Sequence, residues 1–331
     1  MPGYSGPPEL TAQRLLTAWT LDLTALLVLL AFGVAYAAGV VALRRRGDRW
    51  PVGRLVSFAA GLAVLVVATC GFPGVYAHVL FWIFVVQVCL LLLAGPMLLG
   101  LGAPVSLTKV ALSERSLHWT QRRGARWLWQ AARLPGLAPF ILIVVTSALF
   151  FTSWMPYALS HSGAYHGLQL LLLAIGMLIV LPVTDESVLL SSFAYAVMVG
   201  VTFVEFLLDA IPGIVLRFTG HLIAPEYWLA VGRPWGLSPI DDQHRAGSWL
   251  WFFGEFVDLP FIAVLVLAWI KSDAREAAVV DRELDLAQLA VTPADEDEPA
   301  ALMRPWWETD ASVLGEDRAR RHGWSTGRPG P

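Results

Sequence analysis

Long apolar runs dominate the chain. Seven stretches, about 15–43, 55–73, 75–102, 137–158, 165–183, 188–216 and 249–270, are apolar with few charges. A helix needs roughly 20 such residues to cross a hydrocarbon core of about 30 Å. Backbone groups find no water partner in lipid, so each run is expected to be a helix rather than an open strand. A membrane barrel would show alternating segments of about ten residues, and these runs do not alternate. The pattern predicts an all-α, polytopic integral membrane protein of about seven transmembrane helices. Residues 15–270 form the membrane domain and 1–14 a short segment before it. No basic region, short apolar stretch and cleavage site precede the first run, which is long enough to stay as a span.

Composition agrees with this picture. The chain has 331 residues, 56% of them hydrophobic and only 15% charged; a soluble domain carries about 25% charged residues. The net charge of −3 excludes a global basic field, so no nucleic-acid partner is expected. The partner the composition does imply is the lipid bilayer. Fifteen Trp, many at the ends of apolar runs, suit the headgroup level. Cys70 and Cys89 sit inside apolar runs as small buried hydrophobes and form no CxxC.

Orientation follows from Lys and Arg in the connections. Arg44, Arg45, Arg46, Arg49 and Arg54 fill the first; Lys109 and five Arg fill the third, about 103–136. Both fall on one side, which is expected to be cytoplasmic. The N-terminus is then outside and the C-terminal tail inside. The loop at about 217–248, with three Arg against Glu226, Asp241 and Asp242, is expected outside. The segment about 106–133 mixes Trp, Leu and Arg as a helix lying on the inner leaflet would. The tail, 271–331, has helical spacing to about 290, then an acidic Pro-bounded break and a polar remainder expected to be disordered.

This topology sorts the candidate chemistry. His78, His161, His166, His221 and His244 fall at outer ends of spans or in outer loops, and Met155 lies near His161. Imidazole is a common ligand for copper, zinc and iron, and thioether suits copper(I), so His78, His161, His166, His244 and Met155 are candidate metal ligands on an outward face. The alternative is that they are interfacial residues of ordinary outer loops. Intramembrane acids usually mark function. Glu205 and Asp209, four apart, share a helix face; Glu255 and Asp258 are three apart, and Asp22 begins the first span. Gly95–Pro96, Pro182 and Pro212–Gly213 are expected kinks. No Ser-His-Asp spacing, HExxH or catalytic carboxylate pair is present, so no enzyme is expected.

The string GRPWGLSPIDDQHRAGSWLWFFGE, Gly232 to Glu255, resembles the last segment of the cytochrome c oxidase assembly factor CtaG family, actinobacterial branch. Asp242, Gln243, Ala246, Gly247 and Trp249 fit its DQ loop. AYAAGVVALRRRGDRWPVGRLVSF, AGPMLLGLGAPVSL and WIKSDAREAAVVDRELD agree, so the likeness covers roughly 15–290. It implies a multi-pass protein of a bacterial plasma membrane that assists copper delivery or insertion at the outer face, with oxidase subunits as partners and copper as the metal. One departure stands out. Where members carry HMxxH in the third span, this chain has Phe84 and Val88, with the Gln retained as Gln87; another family His is replaced near Gln169. Phe and Val cannot bind metal, so His78 and His166 are the substitutes to consider. Two other classes remain open: a scaffold or subunit of a respiratory complex without metal, which the loss at 84 and 88 favours, and a small-solute transporter, which Glu205 keeps open and the absence of a repeat opposes.

Overall fold

The structure, a computed structural model, describes residues 4–111, 137–184 and 192–290, and every element among them is helical. In order these are α1 (Ala12–Thr17), α2 (Leu23–Arg45), α3 (Val52–Cys70), α4 (Phe72–Tyr76), α5 (Phe81–Cys89), a π turn (Leu90–Ala94), α6 (Gly95–Leu101) and α7 (Pro104–Ala111). After the undescribed connection come α8 (Leu137–Phe151), α9 (Trp154–Ser160), α10 (Ser162–Thr184), α11 (Ser192–Phe218), α12 (Pro225–Val231) and α13 (Pro239–Ala290). Residues up to Asp273 form one compact unit, and the chain from Ala274 forms a second. The described part of the second is the polar end of α13.

Among the described residues, five helical stretches are long and apolar enough to cross a membrane: Leu23–Arg45, Val52–Tyr76, Phe81–Val110, Ser162–Leu181 and Tyr195–Phe218. Phe140–Phe151 and Trp154–Ser160 make a sixth if the pair, bent by 66°, counts as one span. The expected seventh stretch, 249–270, is helical within α13. The segment expected on the inner leaflet is described only to Ala111, and the expected disordered tail lies outside the described residues.

Span three is the centre of the bundle. Every residue of α5 except Trp82 is buried. The α3 and α10 helices pack on α6, α2 packs on α3 and α7, and α11 packs on α8. The expected Gly95–Pro96 irregularity takes a specific form, the π turn just before it. Proline cannot donate to the ladder, and a wider turn absorbs the mismatch. Small residues then allow close approach: a Cβ at Gly176 would strike the Leu92 carbonyl and Pro96. Close backbone approach is how membrane helices gain packing energy where lipid is as apolar as Leu.

Candidate functional site

One end of the bundle gathers the polar groups. The start of α2, the α4–α5 link, the α9–α10 corner and the loop before α13 meet there. Asp22 caps α2, with the Ala25 N–H donating to Oδ1 at 2.9 Å. Its other oxygen lies 3.2 Å from His166 Nε2. His166 Nδ1 sits 2.7 Å from the Ser162 carbonyl, so both ring nitrogens face oxygen acceptors. His78 is next to this pair. Its Nδ1 is 3.3 Å from the Leu159 carbonyl, and its ring lies 4.4 Å from that of Tyr165. Burial lowers its pKa below the usual imidazole value, and nearby His166 adds to this against the opposing Leu159 carbonyl.

Tyr165 carries the polarity inward. Its hydroxyl donates to Gln87 Oε1 at 2.5 Å, and Gln87 Nε2 donates to the Ala68 carbonyl at 2.8 Å. Gln87 is 1% exposed, so both of these bonds compensate a desolvated amide. A narrow cleft beside them is lined by Thr24, Thr69, Leu91, His166 and Gln169.

The DQ segment fastens the loop above this site. Asp242 is buried, and its carboxylate accepts from the N–H groups of Phe81 (3.0 Å) and Trp82 (3.3 Å) at the start of α5. Arg233 reaches the same carboxylate at 3.0 Å. Burial raises the Asp242 pKa above the usual carboxylate value, outweighing Arg233 and the two N–H donors that pull the other way. Gln243 accepts from the Ile223 N–H at 2.6 Å and donates to the His221 carbonyl at 3.0 Å. A Cβ on Gly247 would stand 2.6 Å from the Gly213 carbonyl, so α11 and α13 cross backbone to backbone. Trp249 stacks on Trp82 with centroids 6.1 Å apart.

The candidate ligands separate on this frame. His78 and His166 come together with Asp22. Met155 is fully buried on α9, one turn before Leu159. His161 is exposed at the end of α9 against the Tyr157 carbonyl at 2.9 Å, and His244 Nε2 lies 3.0 Å from the Thr219 carbonyl. Among the described residues, no group of three His, Cys, Asp or Glu is arranged to hold a metal ion. Phe84 and Val88 are each 1% exposed in the apolar core. Of the acids, Glu255 accepts from the Trp251 indole, and Asp209 lines a cleft with Cys89, Thr146 and Gly254. The side chains of Glu205 and Asp258 fall outside the described part.

Sequence reasoning passed over Tyr165, Tyr227 and Arg233. Tyr227 donates to the His78 carbonyl at 3.0 Å. The available signal was an aromatic or Arg within a turn or loop of each candidate His or Asp.

No solved structure matches the chain. Uncharacterised proteins of Mycobacterium bovis and Mycobacterium tuberculosis are each 30% identical over 295 residues, covering 86% of this chain and 44% of theirs. One from Mycobacterium leprae is 28% identical over 292 residues, with the same coverage. The chain thus spans less than half the length of these relatives. The profile of the cytochrome c oxidase caa3 assembly factor family matches residues 34–272, most of the membrane domain, and the chain belongs to that family.

Proposed function

We propose that this chain is a membrane-embedded assembly factor for cytochrome c oxidase that presents copper(I) as cargo at the end of the bundle where Asp22, His78 and His166 meet. The observation that carries it is the 3.2 Å approach of His166 to Asp22 with His78 alongside. Two imidazoles and a carboxylate are donors that copper accepts, and the Met155 thioether lies on the neighbouring helix. The set falls short of a closed cage, which suits an ion that must leave. Arg44, Arg45, Arg46 and Arg49 lie at the far end of the 23-residue α2. By the positive-inside rule that end faces the cytoplasm, so the His end faces outward, across a bacterial plasma membrane.

The test is a copper(I) titration of detergent-purified protein against a competing chelator. Binding that weakens at least tenfold in His166→Ala and in His78→Ala supports the reading. A protein that binds no copper(I), or variants that bind as the wild type does, overturn it.

The burial of Phe84 and Val88 favours a second reading, a scaffold that holds an oxidase subunit without metal. It predicts copurification with immature oxidase, no copper(I) binding, and normal assembly in the two His variants. Neither reading assigns catalysis to this chain.

A further inference from the structure

The opposite end of the bundle has its own chemistry. We propose that it is a docking surface for the headgroup of an anionic phospholipid. This inference stands apart from the oxidase reading and would survive its failure.

Six basic residues meet there. Arg46 donates to the Val110 carbonyl at 3.0 Å, which fastens the α2–α3 turn to the end of α7. Arg44, Arg45 and Arg49 therefore share one surface with Lys109, and all five side chains are exposed. Arg54 lies over the Trp50 ring at 5.1 Å. That ring is fixed in turn: its indole N–H donates to the Tyr36 hydroxyl, which donates to the Gly102 carbonyl. Between Arg44 and Arg54 the α2–α3 turn holds five Arg and one acid, Asp48.

The uncharged surface around them decides the partner. Val41, Val52, Val56 and Val110 are exposed beside the cations. An acidic soluble partner would need only the charges, whereas a phospholipid supplies phosphate to the guanidinium forks and acyl chain to the valines. Arg is the residue for planar, two-pronged phosphate contact, and five of the six cations are Arg. Each basic group near an anionic surface strengthens attachment by about fivefold.

The experiment is native mass spectrometry of the full chain released from mixed micelles of phosphatidylglycerol and phosphatidylcholine. We expect at least tenfold preferential retention of phosphatidylglycerol. The triple variant Arg44→Gln, Arg45→Gln, Arg49→Gln should lose that preference, since three such steps of about fivefold exceed it. The matching triple Lys variant should keep part of the preference, since it holds the charge and loses the forked contact, which separates lost charge from a damaged fold. Equal retention of the two lipids, or an undiminished preference in the Gln variant, overturns the proposal. So does full displacement of phosphatidylglycerol by millimolar inorganic phosphate, which would make the ligand a free anion. Binding of polyglutamate as tight as that of the lipid would assign the surface to an acidic polypeptide instead.

Discussion

The Tyr165 hydroxyl and the Gln87 side-chain oxygen meet at 2.5 Å in the middle of the bundle, joining α10 to the central span. Removing one partner strands the other in a dry core, which costs about 1–3 kcal/mol. Gln87→Leu leaves the Tyr165 hydroxyl with Gln169 alone, and Tyr165→Phe strands the Gln87 oxygen. Thermal melting in detergent should show both variants destabilised. The double variant should lose less than the sum, since the second change removes the orphan left by the first.

Asp242 and Arg233 form a buried ion pair whose two side chains are 3% and 7% exposed. Breaking such a pair from one side costs about 3–5 kcal/mol. Arg233→Gln leaves the carboxylate with only the Phe81 and Trp82 N–H donors and should lower the melting temperature strongly. Asp242→Asn keeps an oxygen for those donors and should be milder than Asp242→Leu, which removes every acceptor. If all three variants melt with the wild type, Asp242 does not hold the start of α5.

The contact of Gly247 with Gly213 leaves no room for a side chain. Gly247→Val should push α13 off α11 at a cost of about 1–3 kcal/mol, the usual range for overpacking. The check is the yield of monodisperse protein after extraction. Gly254, with open space around its Cβ position, is the control, and Gly254→Ala should behave as the wild type.

The pH dependence of folding should carry the mark of His78. Its folded-state pKa is depressed below 6.5, chiefly by burial. A depressed value means that the unfolded chain binds the proton first as pH falls. Stability from this group is therefore complete above about pH 6.5 and is lost as pH drops through the lower folded-state value. Melting curves between pH 7.5 and 5 should show this loss in the wild type and a smaller one in His78→Gln. Equal losses would assign the acid sensitivity to another group.

Much of the fold was legible in the chain, for one physical reason. Lipid demands long unbroken apolar helices, so the runs at 15–43, 55–73 and 75–102 announce themselves. The irregularity at Gly95–Pro96 was equally readable, because proline has a fixed backbone cost. The 66° bend at Thr152–Ser153 had a local mark too, Pro156, which cannot donate to the Thr152 carbonyl four residues back, although no kink was expected there. The site was less legible still. Asp242 touches Phe81 across 161 residues of sequence, and Tyr165 touches Gln87 across 78. No local pattern encodes such pairings. Asp242 and Gln243 drew notice through family likeness, and only the structure shows them to be fasteners for α5 and the 219–225 loop.

The π turn at Leu90–Ala94 has a consequence for the two halves of its span. One extra residue per turn advances the phase by about 100°, so Gly95 and Leu99 point where an unbroken helix would not send them. Gln87 upstream and Pro96 downstream thus answer to different neighbours, Tyr165 in one case and Gly176 in the other. Deleting a single leucine from that turn would rewind the half holding Pro96 like a key in a lock, while the half holding Gln87 kept its place.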